Sequence, residues 1–450
     1  MVVKNEFIAA YWSFRTYKTE LLPEIVLTGT LPYYSKSYNM FQNSDGTYTY
    51  VSNNYNTVNA GLKISQNIPW TGGKVTVQSN FERLHQNGQT YPNRYKTVPI
   101  SGTLEQPLFG FNRVKWSQRI EPIAFEKAQK KLISDKEDVI LQIIDLYFNF
   151  FLGKINLDIA QQNKANAERL YAIAEARFEM GQLSEVELLQ MKNSLLSAIS
   201  SLTDMKASLD SRMFRLCSFL GLEEGVVIEP VTPEFDYENL PQLDYQEVLR
   251  LAQKNNYFTQ NIQRRILEAS RSVSQARSDR WNVTLYASFG YSARENTFNQ
   301  AFNSNNWRDD QVINVGISVP ILDWGKGKAK LKVAESNKEV VQSRIEKEKI
   351  DFNQNIFLYV NYFNNQPGQL RLAKEMDEIA AKRYATTVEA FVHGQMDILN
   401  LNDAQSNKDS ARRKYIEEMF LIWSYYYQIR SLTLYDFIAD SPIDIEYPIQ

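Results

Sequence analysis

Gln106-Pro107-Leu108-Phe109-Gly110-Phe111-Asn112-Arg113 is the stretch at which an alternating polar and apolar pattern gives way to a long helical one. Before Pro107 side chains alternate at the strand period of two; beyond it apolar pairs recur at helical spacing for dozens of positions. Proline withholds a backbone donor and so suits the end of a strand. The same switch recurs at Val319-Pro320-Ile321-Leu322-Asp323-Trp324-Gly325-Lys326. Gly181, in Phe178-Glu179-Met180-Gly181-Gln182-Leu183, stands 74 residues beyond Pro107, and Gly394, in Phe391-Val392-His393-Gly394-Gln395-Met396, stands 74 beyond Pro320. Both motifs therefore repeat at an offset of 213 (320 minus 107, 394 minus 181). A shared interval between two motifs predicts a tandem repeat: strands, a long helical run, a Gly turn and a helical return.

Working outward, the first strands are expected near 23–31, 56–68, 74–83 and 96–108. Polar loops are expected from Tyr33 to Asn56 and from His85 to Arg94, with a tight turn at Trp70-Thr71-Gly72-Gly73. The strands alternate on one face only. That pattern fits either the half-buried core of a soluble sandwich or the lipid-facing wall of a barrel, in which case Asn59, Gly61, Lys63, Ser65, Asn314, Gly316 and Ser318 face a wet lumen. Seventy-four helical residues would span roughly 110 Å, beyond the needs of any globular core, so such helices must pack on others along their length. Gly153 and Pro367-Gly368 are expected to interrupt the two long helices at about the same height. Ser184 and Glu187 have the spacing of a capping box at the start of the return helix, and Gly221 is placed to end it.

The boundaries follow. The first repeat is 1–220: the end of a helix (1–22), strands (23–109) and a helical hairpin (110–220). A Pro- and acid-rich linker covers 221–243. The second repeat is 244–436: one helix (244–280), strands (281–322) and a hairpin (323–436). An extended tail closes the chain at 437–450.

Composition narrows the function. The 450 residues carry 50 basic and 52 acidic side chains, so no broad basic field points to nucleic acid. A single cysteine, Cys217, precludes an intramolecular disulfide or a cysteine metal cluster, and His85 and His393 lack metal-ligand spacing. No apolar run reaches the roughly 18 residues of a membrane-spanning helix. Met1 enters a helical pattern directly, as expected of a chain trimmed of a leader and its first helical turns. Gly325-x-Gly327 lacks a βαβ setting, and no carboxylate pair has a catalytic one, so neither a cofactor nor an enzymatic reaction is expected.

The Pro-marked helix starts and the Arg177-Phe178-x-x-Gly181-x-x-Ser184 turn, repeated around Gly394, resemble the TolC-like outer-membrane efflux family over essentially the whole chain. The resemblance implies an α+β membrane protein, a homotrimer. Its β-barrel sits in the lipid of a Gram-negative outer membrane and continues into the periplasm as an α-helical coiled-coil barrel. It implies a passive channel that docks on a periplasmic adaptor (membrane fusion) protein and an inner-membrane transporter. The family's acidic pore rings fall on Asn400 and Asp403, of which only Asp403 is a carboxylate; Asp397, one turn earlier, is the substitute. The adaptor would meet the tips, Met180, Gly181, Gln182 and Leu183 with His393, Gly394, Gln395 and Met396. Pro107, Phe111, Pro320 and Trp324 mark the strand-to-helix joints; Tyr33, Tyr34, Trp70, Phe109, Phe111 and Trp324 are candidate interfacial aromatics, with packing at the joint the alternative for Phe111 and Trp324. Four strands in the first repeat, where the family has two, leave a 12- or an 18-stranded trimeric barrel open. A structural scaffold or adhesin of the envelope, without transport, is the rival reading.

Overall fold

The computed structural model describes residues 2–87, 93–108, 110–223, 225–233, 236, 240–280, 282–318 and 322–443. Pro320 and Phe109 lie outside the described residues, as does the second half of the expected extended tail.

The chain runs α1 (Val2–Thr19), β1 (Glu24–Gln42), β2 (Tyr48–Asn67), β3 (Lys74–Gln86), β4 (Asn93–Pro107), α2 (Arg113–Glu179), α3 (Glu185–Leu220), α4 (Tyr245–Asn255) and α5 (Phe258–Ser278). It continues through β5 (Asn282–Glu295), α6 (Phe298–Ala301), β6 (Arg308–Ser318), α7 (Lys326–Val392) and α8 (Ile398–Thr433), and the short strands β7 (Tyr435–Asp436) and β8 (Ser441–Pro442). Helix boundaries repeat at the offset of 213: α2 and α7 each hold 67 residues, α3 and α8 each hold 36. Sixty-seven residues give roughly 100 Å of helix.

β1 to β6 form one antiparallel sheet in chain order. The register sets Ile25 and Leu27 opposite Ile64 and Leu62, Ile64 opposite Val77, Leu104 opposite Ala287, and Ala287 opposite Ile313. Residues paired across strands share a face. One face is therefore apolar from β1 to β6, and its Leu27 and Ile313 are largely exposed, at 78% and 69%. The other face carries Thr28, Gly61, Lys63, Gln78, Ser101, Ser288, Asn314 and Gly316. It lies on the side opposite the apolar one.

Four sequence expectations are corrected. The stretch from Tyr33 to Asn56 is not a loop: β1 and β2 stay paired out to Gln42 and Tyr48, and only residues 43–47 turn. Its Tyr and Thr residues favour strands, and pairing satisfies a backbone that polar composition had suggested was solvated. β3 stops at Gln86 opposite Tyr55, so residues 36–42 and 48–54 form a two-stranded ribbon reaching roughly 25 Å past the other strands. Likewise β3 and β4 extend into the expected loop at 85–94, as far as a His85–Asn93 pair.

Neither Gly153 nor Pro367 breaks its helix; α2 and α7 are continuous through them. Gly153 instead lets α3 approach, since a Cβ there would stand 2.8 Å from Cδ of Arg212. Conversely, the expected helix 244–280 does break. Buried Asn256 accepts from the N–H of Phe258 (2.9 Å) and donates to the carbonyl of Leu432 (3.0 Å), pinning the break to α8.

Candidate conduit tips and lateral faces

Below the sheet, α2 packs on α3 and on α8, and α8 on α7, so α3 and α7 lie at the flanks. Apolar clusters fill the seams at three heights: around Leu170, Phe391 and Leu401, around Phe148, Leu370 and Ile422, and around Val248, Phe363 and Ile429. Each such fully buried aliphatic or aromatic side chain contributes about 1.5–3 kcal/mol. The aromatic face Tyr415, Phe420, Trp423, Tyr426 and Tyr427 belongs to the two upper clusters, as interhelical core.

The flanks are not polar. α3 exposes Val186, Leu189, Leu196 and Ile199, and α7 exposes Leu358, Leu372, Met376 and Ile379. Spacings of three, four, seven and fourteen put each set on one helical stripe. No sequence motif marked these stripes, because a helix with apolar residues on two sides has little amphipathic contrast.

At the tip, each Gly turn ends its helix with the same bonds. Gly181 and Gly394 have φ of +67° and +76°, the left-handed region that disfavours a Cβ. The N–H groups of Gly181 and Gln182 donate to the carbonyls of Phe178 and Arg177 (both 2.9 Å); those of Gly394 and Gln395 donate to Phe391 and Ala390 (3.0 and 2.9 Å). Ser184 and Glu187 form the reciprocal capping box, and hydrogen bonds from the Ser184 hydroxyl and N–H hold the Glu187 carboxyl below its ordinary range. At the equivalent place Asp397 accepts from the N–H of Asn400 (2.8 Å). Asp397 thus caps α8 as Ser184 caps α3. Met180, Gly181, Gln182, His393, Gly394, Gln395 and Met396 are exposed, whereas Leu183 is half-buried against the tip core.

Asp403 sits on an exposed face of α8, where it accepts from Arg383 Nη2 of α7 (2.6 Å) and Asn407 Nδ2 (3.1 Å). Arg383 was not legible as its partner, for the two are brought together only by the turn. Arg177 was missed as well, although it stands in the turn motif. Its Nη1 reaches the carbonyl of Phe391 (3.4 Å), and the repeat has Ala390 in its place.

The joints differ between repeats. Pro107 ends β4 opposite Thr284, and Phe111 is half-buried beside the end of α1. Trp324, at the position equivalent to Phe111, is 89% exposed with φ +53°, so it does not pack at its joint as Phe111 does. Asp323, which the sequence left unassigned, caps α7 by accepting from the N–H groups of Gly325 and Gly327 (2.9 and 2.7 Å); those bonds hold its carboxyl below the ordinary range.

Beneath the sheet Arg430 of α8 is gripped by Glu137 (3.2 Å) and Asp436 (3.0 Å) and lies over the Tyr427 ring at 4.8 Å. Burial pushes the Glu137 carboxyl up, more than Arg430 draws it down. Burial also acts on Asp436, but the Tyr426 hydroxyl, two backbone N–H groups and Arg430 outweigh it and hold that carboxyl low. Among the described residues no group of three His, Cys, Asp or Glu is placed to hold a metal, and no helix is long and apolar enough to cross a membrane.

A family model described as outer membrane efflux protein matches residues 74–222 and 248–419. The match opens on the first residue of β3, leaving the β1–β2 hairpin outside it. The fold is similar to the outer-membrane channel OprN (TM-score 0.65, 16% identity, covering 96% of this chain and 86% of that one). It is similar to the CmeC outer membrane channel of Campylobacter jejuni (TM-score 0.65, 15% identity, 99% and 84% covered). The open-state MtrE outer membrane channel of Neisseria gonorrhoeae is a further likeness (TM-score 0.58, 13% identity, 96% and 85% covered). No curated protein sequence matches the chain.

Proposed function

The chain belongs to the outer membrane efflux protein family, a family of outer-membrane channels reaching into the periplasm, and from that premise we propose that three copies of it form one continuous export duct. The observation that carries this is the pair of apolar flanks. A helical layer with Leu189 and Leu196 bare on α3, and Leu372 and Met376 bare on α7, is incomplete alone, while packing α7 of one copy on α3 of the next covers both stripes. Such a head-to-tail contact closes into a ring when the rotation is one third of a turn. Four helices abreast in each copy make twelve around the tube.

The apolar face of the sheet then meets outer-membrane lipid, and the polar face lines the lumen. The exposed turns at Met180–Leu183 and His393–Met396 dock on a periplasmic adaptor protein coupled to an inner-membrane transporter. Asp403, with Asn400 beside it, rings the narrow end and disfavours anions, while Asp397 supports it as a cap. The duct performs no chemistry of its own and needs no cofactor or metal. Solutes pass passively or are driven by the partner pump.

The test is the mass of the purified chain in detergent. The expected species is threefold, and Leu196→Glu with Met376→Glu should dissociate it. A wild-type monomer, or a trimer indifferent to both charges, would remove the flank argument.

A further inference from the structure

Six strands in one unbroken sheet leave two free edges, the outer sides of β1 and β6. The β1–β2 hairpin is part of the wall on three counts. It is paired to β3 from Asn67 to Tyr55, across the full length of β3. Ile25, Leu27, Leu62 and Ile64 continue the apolar face that Val77, Phe289 and Ile313 carry on later strands. Its base is fastened to the helices: Gln66 Nε2 donates to the carbonyl of Leu21 (2.8 Å), and Asn112 Nδ2 to that of Pro69 (2.9 Å).

The sheet is also wider than the helical layer beneath it. α1 leads into β1 and α2 leaves β4, so these helices bracket four strands, whose outer two stand about 14 Å apart. Yet α1 and α2 are neighbours, with the Phe14 and Phe125 rings stacked at 4.5 Å and packed helices only about 10 Å apart. The barrel wall thus spreads outward from its supports.

Within lipid every backbone donor and acceptor must be paired, so neither edge can stay open. We propose that the edge of β6 pairs with the edge of β1 in the next of three copies, closing an 18-stranded barrel. This rests on the trimeric duct proposed above. Barrel diameter grows nearly linearly with strand number, so the pore is about 1.5 times as wide as one closed by β3–β6 alone. A barrel of that size encloses an aqueous channel. The outer-membrane segment then imposes no size limit, and selection among exported solutes falls to the helical tip.

Electron cryo-microscopy of the protein in lipid nanodiscs tests this by counting strands in cross-section. Eighteen is the expected count. Twelve, with β1–β2 outside the wall, overturns the proposal and leaves the trimeric duct standing; a particle without threefold symmetry overturns both. In a Cys217→Ser background, Leu27→Cys combined with Ile313→Cys or Val315→Cys should yield a covalent trimer on non-reducing gels. A trimer locked instead by Val75→Cys with those β6 positions would show closure through β3 and contradict the proposal.

Discussion

The guanidinium of Arg177 lies across the tip from the carbonyl of Phe391, Nη1 to O 3.4 Å, and so ties the turn of the first helical hairpin to that of the second. A Cβ on Gly394 would stand 3.1 Å from Nη2 of the same side chain. Arg177→Ala removes the one side-chain bond between the turns that this geometry shows, a loss of about 1 kcal/mol, or about fivefold in an open-to-closed ratio. Single-channel records should show a larger open fraction with unchanged unit conductance. An unchanged open fraction would mean that the hairpins move independently of this contact.

Asp403 and Arg383 are 57% and 51% exposed, so their pair contributes only about 0–1 kcal/mol to stability. Asp403→Ala should leave the thermal midpoint nearly where it is, weaken block by divalent cations and reduce cation preference. Arg383→Ala, which frees the carboxylate, should shift both properties the other way. If Asp403→Ala leaves conductance and cation block untouched, Asp403 is a solvated helix carboxylate and nothing more.

Ser184 and Asp397 occupy equivalent N-caps, 213 residues apart, and each accepts a backbone N–H from the residue three positions on. Replacing either by Ala should cost about 1 kcal/mol. Asp397→Ala should have no larger effect on ion selectivity than Ser184→Ala, because its carboxylate serves the helix. Hydrogen exchange at the first turns of α3 and α8 measures both losses; a selectivity change confined to Asp397→Ala would restore it to the gate.

The Arg430 knot sets two opposed pH dependences. The carboxyl of Asp436 is held low, so its contribution is present above the ordinary carboxylate value near 4 and is lost as pH falls through the folded value. Glu137 is pushed up, so its contribution is fully present below that ordinary value and is lost as pH rises through the raised one. Asp436→Asn should therefore lower the melting temperature at pH 7 and approach wild type as the pH falls below the depressed folded value. Glu137→Gln should match wild type in acid and melt no lower at pH 7. Arg430→Met, which strands both carboxylates, should cost roughly 3 kcal/mol at neutral pH.

Much of the fold was legible because the repeat is written in residues that force backbone geometry. Gly181 and Gly394 demand left-handed turns, Ser184 and Glu187 announce a cap, and Pro107 ends a strand. The extent of β1 and β2 was not, since a ribbon of Tyr, Asn, Ser and Thr that stands in water carries no alternation. Nor was the continuity of α2 and α7: Gly153 and Pro367 lower helix propensity locally, and packing against the neighbouring helices overrides it. At the tip, Asp403 and the turns could be placed by their spacing from Gly394, whereas Arg177 and Arg383 act across the fold. Long-range pairing of that kind leaves no local signature.

Conductance of the purified protein in a planar lipid bilayer tests the central claim most directly. A duct formed by three chains predicts discrete, long-lived current steps, larger in Arg383→Ala or Asp403→Ala channels if the tip is the narrow point. A membrane that contains inserted trimer yet passes no current, in wild type and tip variants alike, would contradict the account and favour a structural scaffold.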